Sequence, residues 1–129
     1  MVDTQMRIFF ISAYDTKESE RINAANNLSL LEDLKRLGFD PVEVEGRYQG
    51  IDEQSFAVKG TFQHEVGLIE LAKSYGQQSI LSLEATWQAE TLFTSGVRFP
   101  SGTMVEVDKD TALNDVGYSY INEKYFILK

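Results

Sequence analysis

PVEVEGRYQGIDEQSFAVKG, residues 41–60, reads as two strands and the connection between them. Val42 and Val44 alternate with Glu43 and Glu45, a period of two that leaves one face wet. QSFAVKG, residues 54–60, is the second strand, with Phe56 and Val58 on one face. The connection is less routine. Tyr48, Asp52 and Glu53 crowd together between two glycines and the second strand. One reading is a polar turn, since Gly, Asp and Gln mark turns in general. The other is the lip of a site. Glu53 would then stand on a rigid element able to hold a cationic group, and Tyr48 would offer a ring face or a hydroxyl.

Working outward from this pair gives the order of the chain. RIFFISAY (7–14) is a continuous apolar run of strand formers and reads as a buried central strand. DTKESE then supplies helix caps and early acidic residues. Ile22, Leu30, Leu31, Leu34 and Leu37 follow at helical spacing, and Gly38 closes that helix. HEVGLIELAKSYG (64–76) repeats the helical pattern through Val66, Ile69, Leu71, Ala72 and Tyr75 and stops at Gly76. QSILSLEA (78–85) is a strand that TWQAETLF continues or pairs with. After Pro100, TMVEVD and YSYINEKYFIL read as two further strands or one hairpin. The order β-α-β-β-α-β is the ferredoxin-like split βαβ plan, which predicts an α+β fold. Its antiparallel sheet would carry two helices on one face and a C-terminal β extension, all in a single domain spanning 1–129. The second sheet face must then be covered. Tyr118, Tyr120, Tyr125 and Phe126 in the C-terminal third suggest that another subunit covers it.

Composition excludes several chemistries. The formal charge of −8 argues against binding a nucleic-acid backbone, which calls for Lys and Arg. There is no cysteine, so disulfides, thiolate catalysis and Cys-ligated zinc are absent. His64 is the one histidine, so no metal site with several His ligands forms within a chain. There is no G-x-S-x-G elbow and no Gly-rich phosphate loop. No apolar run approaches the roughly 18 residues of a membrane span. MVDTQMR lacks the apolar core of a signal peptide, which leads to the expectation of a soluble, cytoplasmic protein. The chemistry left to the chain uses carboxylates, phenols and amides.

Other polar positions carry two readings each. Gln77 and Gln78 lie at a helix-to-strand turn, where amides bridge backbone or bind ligand. His64 begins the second helix and reads as a capping or solvent-facing residue. Asn23, Asn26 and Asn27 lie inside the first helix, where Asn is a poor helix former. They form a solvated stripe or a face lining a pocket. Trp87 reads as core or interface.

Four pieces, in order and spacing, resemble the bacteriophage S-adenosylmethionine lyase family. They are ISAY (11–14), Asn23 within RIN, EGRYQGIDEQSFAV (45–58) with Tyr48 and Glu53 at its two functional positions, and GQQSIL (76–81) with Gln77. The likeness covers roughly residues 8–84, and SGTMVEV (101–107) resembles the family's later stretch loosely. Only four residues separate Tyr48 from Glu53, fewer than in the family. The resemblance implies a small homotrimer with sites between subunits, acting without cofactor or metal. It would cleave S-adenosylmethionine to 5′-methylthioadenosine and L-homoserine lactone, and so serve a phage against restriction enzymes that depend on this cofactor. It implies that Glu53 pairs with the substrate ammonium and that Tyr48 steadies the sulfonium or the chain beside it. Gln77, Asn23 and backbone groups near Ser12 would supply polar recognition.

Three other readings compete with the lyase. One is a hydrolase, in which water takes the place of the substrate carboxylate. Another is a non-enzymatic, trimeric ferredoxin-like module that binds a nucleotide or S-adenosylmethionine. The third is an acidic mimic of DNA, although the 20 acids are interleaved with 12 bases and form no dense stripe.

Overall fold

The computed structural model describes residues 6–48 and 50–129, with Tyr48 described by its backbone alone. Among them, eight strands close into an antiparallel barrel. In chain order the elements are β1 (Arg7–Ile11), α1 (Glu20–Arg36), β2 (Val42–Tyr48), β3 (Ile51–Gly60), a 3-10 turn (Phe62–His64) and α2 (Glu65–Ser74). There follow β4 (Ser79–Leu83), β5 (Gln88–Phe93), β6 (Arg98–Val107), α3 (Lys109–Leu113), β7 (Tyr118–Ile121) and β8 (Lys124–Leu128). Around the barrel the strands run β1-β3-β2-β7-β8-β6-β5-β4, and β4 returns to β1.

This corrects the ferredoxin-like expectation. An open sheet of the first four strands would leave β2 and β4 as edges with unpaired backbone groups. Both are occupied here: β2 pairs with β7 through Glu45↔Tyr120 and Arg47↔Tyr118, and β4 pairs with β5. The C-terminal segment is therefore not an extension. It is the other half of the barrel, and closure removes the edges altogether.

Closure gives the chain two apolar layers. Phe9, Ile11, Phe56, Val58 and Ile80 face outward beneath Leu30 and Leu34 of α1 and Leu68 and Ala72 of α2. Phe10, Val44, Ala57, Leu83, Ala89 and Met104 face the lumen. β1 feeds both layers, which is why it reads as an unbroken apolar run. Phe126 packs against the inner layer, and Trp87, half-exposed, stacks on it with ring centroids 5.7 Å apart. Part of the C-terminal aromatic surplus that was expected to meet another subunit thus packs within the chain. Tyr118, Tyr120 and Tyr125 gather on one another, with Tyr120 and Tyr125 centroids 4.6 Å apart.

The helices keep only part of the expected core. Ser19 caps α1 by accepting the Ile22 N–H, and Leu30 and Leu34 are buried, whereas Ile22 and Leu37 are exposed. In α2, Leu68 and Ala72 carry the packing and Val66 is exposed. The seams depend on two glycines. A Cβ on Gly46 would stand 2.7 Å from the Tyr118 carbonyl oxygen, so β7 approaches β2 only because Gly46 has no side chain. Gly102 combines a φ of +103° with close approach to the Lys129 backbone. Among the described residues no helix is long and apolar enough to cross a membrane.

Candidate active site in the barrel lumen

Strand direction determines what faces the lumen. On β3 the residues alternate, so Phe56 and Val58 turn to the helices while Glu53, Ser55 and Ala57 turn inward. At the end of the barrel where β1 finishes and β4 begins, the lumen opens into a cavity of about 770 Å³. That lies within the roughly 300–1,000 Å³ typical of small-molecule sites. Its wall combines the β1–α1 loop (12–17), Gln77 and Gln78 before β4, Glu53 and Ser55 on β3, and the segment leading into β7. The apolar floor includes Phe10, Val44, Leu81 and Met104.

Glu53 is the charged group of most consequence. It is half-buried, and burial raises its carboxyl above the ordinary value for glutamate. Among the described residues its carboxylate makes no hydrogen bond or ion pair. Asp52, its neighbour, points the other way, where it accepts from Arg47 Nε at 3.1 Å. The two carboxylates of the opening segment are therefore separated by the pleat, and only Glu53 belongs to the cavity. Tyr48 ends β2, with its Cα paired to Ile51, and its side chain lies outside what the structure describes.

The three residues expected to recognise substrate are all close to the β1–α1 loop. Ser12 lines the cavity; its Oγ donates to the Gln54 carbonyl at 2.9 Å and accepts the Tyr14 N–H at 3.0 Å. Gln77 also lines it, and its Nε2 donates to the Tyr14 carbonyl at 2.8 Å. Asn23 does not line the cavity. It is buried, accepts the Asp15 N–H through Oδ1 and donates through Nδ2 to the Asp15 carbonyl, both at 2.9 Å. Asn27 is buried on the same helix face and donates to Gln54 Oε1 at 3.4 Å, so neither Asn belongs to a solvated stripe. His64 accepts the Thr61 N–H at 2.9 Å and caps the turn before α2.

Several cavity groups were missed at the level of sequence. Ser55 was readable in principle, two residues beyond Glu53 on the same pleat. Thr91 and Ser101, whose hydroxyls bond to each other, and Ser119 were not, because their facing depends on how the barrel closes.

The cavity presents the half-buried Glu53 carboxylate, without a partner among the described residues, beside hydroxyls and amides, with Lys17 and Arg47 also in its wall, an arrangement suited to a small polar molecule that carries a cationic group. Neither its wall nor its floor offers an imidazole or thiol among the described residues. A family model described as the S-Adenosylmethionine lyase family matches residues 9–129, so the chain belongs to that family and is an S-adenosylmethionine lyase. No curated protein matches it.

Proposed function

We propose that the lyase works by folding its substrate so that the substrate attacks itself. S-Adenosylmethionine carries a sulfonium leaving group and an α-carboxylate nucleophile on one chain. A carboxylate oxygen bonds to the γ-carbon, the γ-carbon–sulfur bond breaks, and its electron pair goes to sulfur. The products are 5′-methylthioadenosine and L-homoserine lactone, and no proton or water is consumed. Holding such a near-attack arrangement is worth about 7–11 kcal/mol in the best intramolecular cases. Opposite charges cancel as the bond forms, so a site with little water favours the transition state.

The observation that carries this reading is Glu53: a carboxylate without a partner among the described residues, turned toward a cavity of suitable size. Its role is to pair with the substrate ammonium and orient the methionine chain. Tyr48 steadies the sulfonium. Gln77, through the amide oxygen that its bond to Tyr14 leaves free, and Ser12 face the substrate as polar contacts.

Running the reaction in oxygen-18 water and trapping the first product tests the mechanism. The lactone as first formed carries no label. Label in the earliest product, before spontaneous ring opening, means that Glu53 activates a water and the enzyme is a hydrolase.

The assembly we propose is a homotrimer in which a neighbouring subunit completes the mouth of each cavity. Val116, 76% exposed, and Ile51, 46% exposed, are apolar surface near that mouth for a neighbour to cover. Sedimentation at micromolar concentration is expected to show a trimer, and a monomer alone would remove the shared site. The resemblance to phage lyases supports a role in the host cytoplasm, where depletion of S-adenosylmethionine disarms restriction. Expression of the chain should lower the cellular S-adenosylmethionine pool, and an unchanged pool would remove that role.

A further inference from the structure

We infer that Asn23 is a positioning residue, which holds the β1–α1 loop as a preformed wall of the cavity and does not touch the substrate. The argument begins with the loop's own hydrogen bonds. Residues 12–17 have left β1 and not yet entered α1, so no ladder or helix satisfies their backbone. Side chains do most of this instead, beside one turn bond in which the Glu18 N–H donates to the Asp15 carbonyl at 3.0 Å. Asn23 closes a two-bond ring on Asp15, accepting its N–H and donating to its carbonyl, both at 2.9 Å. Gln77 takes the Tyr14 carbonyl and Ser12 Oγ takes the Tyr14 N–H. Asp15 Oδ1 in turn accepts the Lys17 N–H at 2.9 Å.

The same framework reaches the strand that carries Glu53. Ser12 Oγ donates to the Gln54 carbonyl, and Asn27, one turn after Asn23 on the buried face of α1, donates to the Gln54 side chain. Gln54 is thereby drawn toward the helix, and the pleat aims Glu53 at the lumen. Asn23 is 2% exposed and has both ends of its amide engaged, so it has nothing left to offer a ligand. An asparagine in the second turn of a helix is disfavoured by propensity. Its place here follows from an amide that matches one peptide N–H and one peptide C=O at once.

The test uses the full chain in two variants. Asn23→Ala removes both bonds. Asn23→Asp keeps the volume and the acceptor for the Asp15 N–H but loses the donor. Hydrogen exchange is followed in enzyme without substrate, and steady-state kinetics with S-adenosylmethionine are followed below the melting transition. For Asn23→Ala the Asp15 amide should exchange at least about tenfold faster while the Phe9 and Ile11 amides are unchanged, and kcat/KM should fall about tenfold, from two neutral hydrogen bonds of ordinary strength. Asn23→Asp should lie between it and wild type in the exchange readout, and it carries the test if the alanine variant does not fold.

A fall in kcat/KM with Asp15 exchange unchanged means that Asn23 contacts substrate, which overturns the inference. Faster exchange with unchanged kinetics overturns it too, because the loop is then no wall. The kinetic arm rests on the lyase reading. The exchange arm does not, so an inactive wild type would indict the function and leave the loop framework to be judged on its own.

Discussion

Replacing Glu53 with glutamine should lower kcat/KM for S-adenosylmethionine by roughly ten- to hundredfold without lowering the melting temperature. The side chain faces the cavity and, among the described residues, meets no cation of the protein's own. A charged hydrogen bond to the substrate ammonium is worth about 1.5–3 kcal/mol, which is that range of rate if it is felt in the transition state. The stability half follows from the sign of the shift. Burial raises the Glu53 carboxyl in the folded protein. Such a group contributes stability only at low pH, and the contribution is lost as pH rises from the ordinary value through the raised one. Near neutral pH the ionised carboxylate therefore costs the fold something, and glutamine removes that cost, so the variant melts at the wild-type temperature or above. The same shift predicts that wild-type kcat/KM declines as pH falls through the raised value, because a protonated Glu53 cannot pair with the ammonium. Thermal melts and a pH–rate profile of both proteins decide it. Turnover near wild type would return residues 46–58 to the plain-turn reading. A clear loss of melting temperature would make Glu53 structural.

Why the facing of Glu53 was legible when the barrel was not comes down to the range of the interactions involved. The pleat of β3 is local: Phe56 and Val58 set one face, and Glu53 falls on the other whatever the sheet does next. Closure is not local. It requires β7 to choose β2 and β8 to choose β6, and nothing near Tyr118 or Phe126 names those partners. Even the hairpin between them lacks its usual marker. Asn122 and Glu123 take positive φ of 50° and 66°, yet there is no glycine at the turn. Pro100 misled as well. The strand reads as beginning after it, at TMVEVD, but β6 runs through it from Arg98, and a register shift opposite Ala89 and Glu90 accommodates it. α3 is five residues long, too short for a period to show, although Asp108 caps it by accepting the Thr111 N–H at 2.7 Å. In the site, Ser12, Asn23 and Gln77 were picked out as polar residues of one neighbourhood. Their partners turn out to be Gln54, Tyr14 and Asp15, as many as 63 positions away, and no sequence spacing reports which end of an amide is used.

Arg98→Met should lower stability by about 1–3 kcal/mol, the cost of leaving a buried carboxylate without its charged partner; the Arg98 side chain is itself 40% exposed, so solvent screens the pair. Arg98 stands at the first position of β6 and reaches two carboxylates. Nη1 and Nη2 meet the two oxygens of Glu65 at 2.7 and 3.3 Å, and Nε and Nη2 meet those of Glu90 at 3.2 and 3.0 Å. Glu65 opens α2 and is only 4% exposed, so the guanidinium ties the start of that helix to the barrel wall. Methionine keeps most of the stem and its packing beside Phe62 but leaves the Glu65 carboxylate buried without its partner. For a chain of this size the loss corresponds to a drop in melting temperature on the order of 3–15 °C. Glu90→Gln is the milder companion, because Glu90 is the more exposed of the two acids. Its hydrogen bonds from Arg98 hold its carboxyl below the ordinary value, so its contribution is present above that value and is lost as pH falls through the lowered one. Arg98 does not line the cavity, so below its melting transition Arg98→Met should turn over S-adenosylmethionine at close to the wild-type rate. An unchanged melting temperature would mean that the ion cluster ties nothing down. A stable but inactive variant would mean that the α2 end of the barrel is coupled to the lumen by contacts other than those described.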